Sequence, residues 1–377
     1  MKYRTMGKLG IQASAFGLGC MRFNGAASGD SIIDEQKAIS LIRKAIDGGV
    51  TYIDTAYVYL DKTSETVLGK ALLDGYRDRV TIATKMPIHA VHDRASMEAL
   101  LEEELKKLQT DHIDFYLMHG INGETWEKFK AIGAPEFFDD MKKAGKIRYK
   151  CFSFHGPYDQ FERILKDSDW DMVQIQYNFM DINNQAGTKG LELAGSMGIP
   201  VVIMEGLLGG RLASAPDNVQ ALYDAFPVKR SPVEWAFRWL CNHPEVSVVL
   251  SGCNEAEQIE ENLRIFDTVD SGIMSAEETA LINRVREAYL SRTKIGCTGC
   301  RYCMPCPNEV NIPGIFSVWN NFGLYNINPE QDWQFNNIVR DGHGADKCVG
   351  CGACEAACPQ HLSIIENLQA AWKELGK

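Results

Sequence analysis

Eight of the twelve cysteines in this 377-residue chain fall in two short runs near its C-terminal end. The first reads Cys297-x2-Cys300-x2-Cys303-x2-Cys306-Pro307, the second Cys348-x2-Cys351-x2-Cys354-x3-Cys358-Pro359. A cubane iron–sulfur cluster needs four converging thiolates. Three cysteines spaced two residues apart wrap one cluster from a short turn, and the cysteine before proline reaches away to the other. The spacing therefore predicts two 4Fe–4S clusters, one on Cys297, Cys300, Cys303 and Cys358, the other on Cys348, Cys351, Cys354 and Cys306. The first run departs from the commonest spacing, with two residues rather than three before Cys306. Zinc more often draws its four ligands from two separated C-x2-C pairs, and disulfides do not suit a chain without a secretory signal.

A second group of side chains has the makings of acid–base chemistry. Asp54 closes the apolar run Tyr52-Ile53-Asp54 and is followed by Thr55-Ala56-Tyr57-Val58-Tyr59; Lys85 closes Thr81-Ile82-Ala83-Thr84-Lys85; His119 closes Asp114-Phe115-Tyr116-Leu117-Met118-His119. Reducing a carbonyl by hydride requires a proton donor at the oxygen, where charge develops. A free tyrosine, with a pKa of about 10, is a poor acid near neutrality. An ammonium beside it stabilises the tyrosinate, and a carboxylate holds the ammonium in place. A histidine can donate a hydrogen bond that orients the carbonyl. Taken singly these residues carry little: a lone Tyr or His is more often packing or surface, and Asp54 also reads as a helix cap.

The elements that must position these groups form a repeat. Short apolar runs at 16–20, 50–54, 80–85, 113–119, 147–153, 172–176, 200–204 and 246–251 read as strands. Between them lie amphipathic stretches such as 34–47, with Ile39, Ile42 and Ile46 on one face, 95–108, with Leu100, Leu101, Leu105 and Leu108, and 255–266, with Ile259, Leu263 and Phe266. The run Glu102-Glu103-Glu104 reads as a solvated helix face. Eight strand–helix repeats over about 250 residues match the length of a (β/α)8 TIM barrel, an α/β fold. A doubly wound sheet is the rival, but no G-x-G-x-x-G follows the first strand. A helix at 276–291 ends the barrel, and the composition then turns rich in Cys, Asn, Gly and Pro. The expected domains are therefore a barrel over 1–290 and a small, mostly helical, ferredoxin-like two-cluster domain over 291–377.

Composition narrows the setting. The chain is 45% hydrophobic and 24% charged, as in globular proteins. A net charge of −11 without a basic run argues against nucleic acid or anionic membrane as partner. Met1-Lys2-Tyr3-Arg4-Thr5 leads into polar residues rather than a signal-peptide core, and no apolar stretch has spanning length. Cys20, Cys151, Cys241 and Cys253 stand singly among apolar residues and read as reduced core thiols. A cytoplasmic location is expected.

Asp-Thr-Ala-x-x-Tyr at 54–59, Lys85 after an apolar strand, His119 after Tyr-Leu-Met, Arg4-Thr5-Met6-Gly7-Lys8-Leu9-Gly10 and Gly17-Leu18-Gly19 together resemble the aldo-keto reductase family over roughly 1–290. The whole chain resembles the branch of that family with a C-terminal 4Fe–4S domain. The resemblance implies that Tyr59 is the general acid/base, that Lys85 tunes it, that Asp54 pairs with Lys85, and that His119 polarises the substrate. It implies NADP(H) as cofactor, with NAD(H) left open. Ser153 and Gln174 would hold the nicotinamide carboxamide; Gly19, Cys20, Met21, Met204, Leu207 and Arg211 would touch the cofactor. Gly252, Asn254, Gln258, Glu261 and Asn262 would form the adenosine-phosphate loop. Two departures stand out. The family's aromatic shelf under the nicotinamide falls on Met204, and 252–258 holds no Lys or Arg for a 2′-phosphate, so Arg211 and Arg22 are the cations to weigh.

A hydride carries two electrons whereas each cluster handles one, so coupling barrel to clusters calls for a flavin or a redox partner protein. Three readings follow: a carbonyl reductase or alcohol dehydrogenase whose clusters relay electrons; the same enzyme with structural or oxygen-sensing clusters; and a non-catalytic electron-transfer or binding subunit. The substrate is a small carbonyl or alcohol compound, its identity set by loops at the barrel mouth.

Overall fold

In the computed structural model, which describes residues 1–23 and 34–377, the chain partitions into two compact units. Met1–Gly210 with Val233–Ala276 form the first, and Arg211–Pro232 with Glu277–Lys377 form the second. The second unit thus takes in 211–232 as well as the C-terminal stretch.

The first unit opens with an antiparallel hairpin, β1 (Tyr3–Thr5) and β2 (Gln12–Ser14). Eight parallel strands then close into a barrel: β3 (Phe16–Gly19), β4 (Tyr52–Asp54), β5 (Thr81–Pro87), β6 (Ile113–Ile121), β7 (Ile147–Phe154), β8 (Met172–Gln176), β9 (Val201–Met204) and β10 (Val246–Ser251). Along the chain run helices α1 (Glu35–Asp47), α2 (Ser64–Ala71), α3 (Arg94–Leu108), α4 (Gly123–Ala131), α5 (Ala134–Lys143), α6 (Tyr158–Lys166), α7 (Gly187–Ser196), α8 (Asp217–Ala225), α9 (Pro232–Asn242) and α10 (Ala256–Phe266), with α8 in the second unit. Local chemistry sets the helix starts. Asp34 caps α1 by accepting from the Lys37 N–H, and reciprocal side-chain caps form at Asp93/Ser96 for α3 and Glu255/Gln258 for α10.

Side chains alternate along a strand, and here the two faces build two cores. Inward residues Tyr52, Ala83, Phe115, Leu117, Cys151, Met172, Val202, Val248 and Leu250 pack with Met6 and Ala13 of the hairpin region. Gly17 completes that interior on β3; a Cβ there would fall 2.7 Å from both Leu250 and Val248, so no side chain fits. Outward residues such as Ile53, Ile82, Tyr116, Phe152, Val173 and Ile203 pack among helix residues in the larger core. The hairpin is fixed by Arg4, whose guanidinium donates to the carbonyls of Val246 (2.6 Å), His243 (3.2 Å) and Cys241.

One stretch departs from expectation. Glu102 and Glu103 are exposed as the charge run predicts, but Glu104 is fully buried. Helical spacing explains it: Glu104 shares a face with the buried Leu100, Leu101, Leu105 and Leu108. Its carboxylate accepts from the Tyr116 hydroxyl at 2.6 Å, while the buried Glu65 of α2 accepts from Thr84 at 2.6 Å and lies 3.8 Å from Lys107. Burial first, then the Glu65 charge, push the Glu104 carboxyl well above its ordinary range. A carboxyl raised on folding contributes stability that is whole below the unfolded pKa and is lost as pH climbs through the folded one. Glu104→Gln keeps an acceptor for Tyr116 and removes that cost, which is about 1.4 kcal/mol for every tenfold weakening of the acid on folding. Thermal melts should show the variant several degrees more stable at pH 8 with the gain vanishing toward pH 4; an unchanged or lower melting temperature at pH 8 contradicts this.

The second unit is helical. Besides α8 it contains α11 (Ala276–Leu290), α12 (Ile312–Tyr325), α13 (Trp333–Arg340), α14 (Ala353–Ala356) and α15 (Ile364–Glu374), and among the described residues no strand. Two of these helices, α12 and α13, fill the sequence between the two cysteine runs. Ile315, Phe316, Trp319, Phe335, Ile338, Ile364 and Leu368 belong to one apolar core, with six of the eight clustered cysteines packed at its margin. Glu374 ties α15 to α12 by accepting from Trp319 Nε1 at 2.6 Å, and pairs with Lys294 at 2.5 Å. Among the described residues no helix is long and apolar enough to cross a membrane.

Candidate active site

The inward positions of the core determine what sits at the C-terminal mouth of the barrel. Two residues beyond Gly17, Tyr52, Ala83, Leu117, Cys151, Met172, Val202 and Leu250 come Gly19, Asp54, Lys85, His119, Ser153, Gln174, Met204 and Gly252. Period two turns each toward the axis, one from every strand or the residue just after it. The side chains are polar on β4 to β8, a thioether on β9, and absent on the neighbouring β10 and β3.

On β4 and β5 the groups are locked together. Lys85, 1% exposed, donates to Asp54 Oδ1 at 2.6 Å, to the Thr55 carbonyl at 2.7 Å and to the Tyr59 hydroxyl oxygen at 3.3 Å. An ammonium has three donors and no acceptor, so all three are assigned, and the Tyr59 oxygen must accept. Its own proton is left free to point elsewhere. Burial alone pushes Lys85 down, but Asp54 and Tyr59 outweigh it and the net shift is upward, so the ammonium is retained. Burial raises the Tyr59 phenol, and Lys85 pulls it part of the way back. The phenol is therefore protonated at neutral pH.

The backbone aims this tyrosine. Thr55 Oγ1 bonds Ser64 Oγ at 2.8 Å, and Ser64 donates to the Cys20 carbonyl at 3.0 Å, pinning the loop after β4. Leu60, Asp61 and Lys62 follow with φ of 52°, 49° and 66°, three consecutive left-handed residues without a glycine. Such conformations cost roughly 1–3 kcal/mol each and cluster at functional sites. The His119 ring stands 5.9 Å from the Tyr59 ring at 79°. Burial first, then the Lys85 charge and the neighbouring His155 and His89, lower its pKa to about 3. It is a neutral imidazole with one N–H to give.

On β7 and β8, Ser153 and Gln174 are register partners, 2% and 1% exposed. Ser153 Oγ accepts from the Gly120 N–H at 2.7 Å, which leaves its own hydrogen available. Gln174 Nε2 lies 3.8 Å from the Met204 sulfur, and its Oε1 is buried with no partner among the described residues. A buried carbonyl oxygen without a donor marks a place for a ligand N–H. A primary carboxamide fits this pair, giving N–H to Gln174 and accepting from Ser153.

Other expected contacts are placed differently. Cys20 is buried in the outer core and Met21, past the end of β3, is half exposed, while Gly19 holds the inward position. Gln258 accepts from the Asn254 and Glu255 N–H groups, and Asn262 donates to Ser251 Oγ and Cys253 Sγ, both at 3.1 Å. These two side chains shape the loop. Glu261 lies 3.9 Å from Arg264. Leu207 is half-buried in the turn after β9, and Arg211 begins the stretch assigned to the second unit. Thr55 and Asn178 went unassigned in the sequence. Asn178 donates to the Glu205 carbonyl at 3.2 Å and so holds that turn.

In the second unit, Cys297, Cys300, Cys303 and Cys358 line one hollow with Pro359. Cys306, Cys348, Cys351 and Cys354 line another with Pro307, and Cys303 borders this one too. The hollows hold about 340 and 540 Å³ of empty space. Among the described residues no three Cys, His, Asp or Glu are grouped to hold a single ion. Two sets of four cysteines, each lining its own hollow beside a Cys-Pro step, match the ligand count of two cubane clusters.

Residues 15–283 match the aldo/keto reductase family model. The chain belongs to the aldo/keto reductase family. A second match, over 296–363, is to a 4Fe-4S dicluster domain, so this aldo/keto reductase carries an iron–sulfur module C-terminal to its barrel. It is 34% identical over 192 residues to the aldo-keto reductase YhdN of Bacillus subtilis, covering 45% of this chain and 57% of that protein. It is 24% identical over 296 residues to the uncharacterized oxidoreductase YqkF of the same organism, covering 70% and 90%. An aldo-keto reductase of Bacillus halodurans in its holo form shares the fold with a TM-score of 0.64 at 26% identity, over 76% of this chain and 96% of that one. The aldo/keto reductase barrel thus places Asp54, Lys85, Tyr59 and His119 on one side of the mouth, Ser153 and Gln174 beyond them on β7 and β8, and the two bare glycines next to Asp54, on β3 and just after β10.

Proposed function

We propose that this aldo/keto reductase is an NAD(P)H-dependent carbonyl reductase, running in reverse as an alcohol dehydrogenase, and that its second unit holds two 4Fe–4S clusters. The observation that carries the reading is the Lys85 hydrogen-bond set, which obliges Tyr59 to accept from the lysine and frees the phenolic proton. When bound, a reduced nicotinamide supplies the hydride. Ser153 and Gln174 fix its carboxamide, and Met204 offers a polarizable thioether beside them. His119 donates its N–H to the substrate oxygen and orients it. Tyr59 gives its proton to that oxygen as negative charge develops, and Lys85, held by Asp54, stabilises the phenolate left behind.

The clusters fit the cysteine hollows in the crossed arrangement, each completed by the cysteine that precedes proline in the other run. They supply one-electron chemistry or structure to the second unit. Because hydride transfer moves an electron pair within the barrel, carbonyl reduction needs no electron from them.

The test is turnover of NADPH or NADH by anaerobically prepared holoprotein against a panel of aldehydes and ketones. Gln174→Ala removes the acceptor for the carboxamide and should raise KM for the dinucleotide about tenfold while leaving kcat nearly intact. No oxidation of either dinucleotide with any carbonyl would remove the reading.

A further inference from the structure

We propose that His155 binds a hydroxyl on the substrate carbon next to the carbonyl, so that the enzyme selects hydroxyaldehydes and hydroxyketones. The inference rests on the carbonyl-reductase reading above. His155 follows the last residue of β7, yet its N–H still donates to the Ile121 carbonyl at 2.9 Å, so the pairing with β6 runs on to it. Two residues past the inward Ser153, it therefore keeps the inward side of the alternation. The ring is exposed and neighbours His119. A Cβ on Gly120, the residue after His119, would fall 3.8 Å from His155 Cδ2. A second imidazole thus stands at the mouth, outside Ser153 and with its Cδ2 edge toward the strand that carries His119.

A relay of side chains holds this ring and permits one hydrogen-bond direction. At its far end Asp181 Oδ2 accepts from Gln176 Nε2 at 2.8 Å. An ionised carboxylate only accepts, so Gln176 gives its NH2 to Asp181 and turns its oxygen to Gln185. Gln185 Nε2 donates to that oxygen at 2.5 Å, which leaves the Gln185 oxygen facing His155 Nδ1 at 3.1 Å. Nδ1 must then carry the hydrogen. A neutral imidazole protonated at Nδ1 has a lone pair at Nε2, the atom next to Cδ2 on the edge that faces Gly120. Gln176 is buried, and Gln185 holds a left-handed φ of 54° without being glycine, a conformation that collects at functional sites. His119 gives a hydrogen to the carbonyl oxygen, whereas His155 asks for one from the adjoining part of the substrate. A hydroxyl supplies it. A carboxylate has no hydrogen to give, and an ammonium would have to enter a mouth that already holds the Lys85 ammonium.

Steady-state reduction of acetone, hydroxyacetone and pyruvate by the full-length holoprotein, with NADPH and with NADH, tests this at pH 8, above the ordinary range of imidazole. The three ketones differ only in bearing CH3, CH2OH or a carboxylate beside the carbonyl. A hydroxyl also alters the reactivity of the carbonyl itself, so the quantity to read is the hydroxyacetone-to-acetone ratio of kcat/KM, wild type against variant. His155→Ala should lower that ratio by about tenfold. Gln185→Leu, which keeps the imidazole but unhitches Nδ1, should lower it in part. An unchanged ratio in His155→Ala, whether or not both ketones slow together, would make the ring a structural element and overturn the proposal. A loss confined to pyruvate would make it a cation for acids and overturn it too. A wild type that reduces other aldehydes but none of these ketones sinks the proposal alone, whereas no turnover of any carbonyl removes the underlying reading with it.

Discussion

Tyr59→Phe should lower kcat for carbonyl reduction by about 10²- to 10⁴-fold while leaving dinucleotide affinity unchanged. The substitution deletes one oxygen and keeps the ring against His119, so the loss is that of a proton donor rather than of packing. The expected fall corresponds to about 3–5 kcal/mol of barrier. It should appear equally in kcat and kcat/KM, as for an interaction made only in the transition state. The pH dependence follows from the same geometry. Burial holds the phenol above its ordinary value against the pull of Lys85, so reduction should be flat through neutral pH and decline only in the alkaline range as the donor ionises. His119, with a pKa near 3, adds no inflection above about pH 4. Alcohol oxidation needs the phenolate and should rise with pH where reduction falls. Tyr59→Phe turning over at the wild-type rate would show that another group carries the proton.

Much of this site was legible in the sequence because one rule, alternation along short apolar strands, places residues both in the core and at the mouth. Gly19, Asp54, Lys85, His119, Ser153, Gln174, Met204 and Gly252 each stand two residues past an inward core position, so locating the strands put these eight residues at one end of the barrel. Parallel strands buried on both faces read as near-continuous apolar runs, which is why β8 and β10 were bounded correctly. What escaped had no such pattern. The hairpin strands Tyr3–Thr5 and Gln12–Ser14 are three residues each and mix polar with apolar side chains. Glu104 was hidden by its charged neighbours, although the leucine spacing around it already put it on the buried face. The roles of Gln258 and Asn262 depend on which way an amide turns, toward a ligand or back to its own loop. Spacing is silent on that choice.

The crossed cysteine pairing makes the sharpest prediction for the second unit, because it differs from in-run pairing in which double variants add. Cys300 and Cys358 line one hollow, and Cys306 lines the other with Cys351. Cys303 borders both and is a poor reporter. Alanine is the right replacement, since a serine oxygen can still ligate iron. Cys300→Ala should cost about half of the bound iron, and adding Cys358→Ala should cost nothing more, since two ligands of one cluster are redundant losses. Adding Cys306→Ala to Cys300→Ala should instead remove nearly all the iron, because the second lesion falls on the other cluster. In-run pairing predicts the reverse for both pairs, so iron analysis of two double variants decides between them. Far-ultraviolet circular dichroism should report a retained barrel in each, since the thiols sit at the margin of a separate apolar core. NADPH-dependent carbonyl reduction should persist in the iron-poor variant, because the proton donor, its lysine and the carboxamide pair all belong to the barrel. Loss of that activity in a folded, dinucleotide-binding variant would instead make the clusters part of turnover.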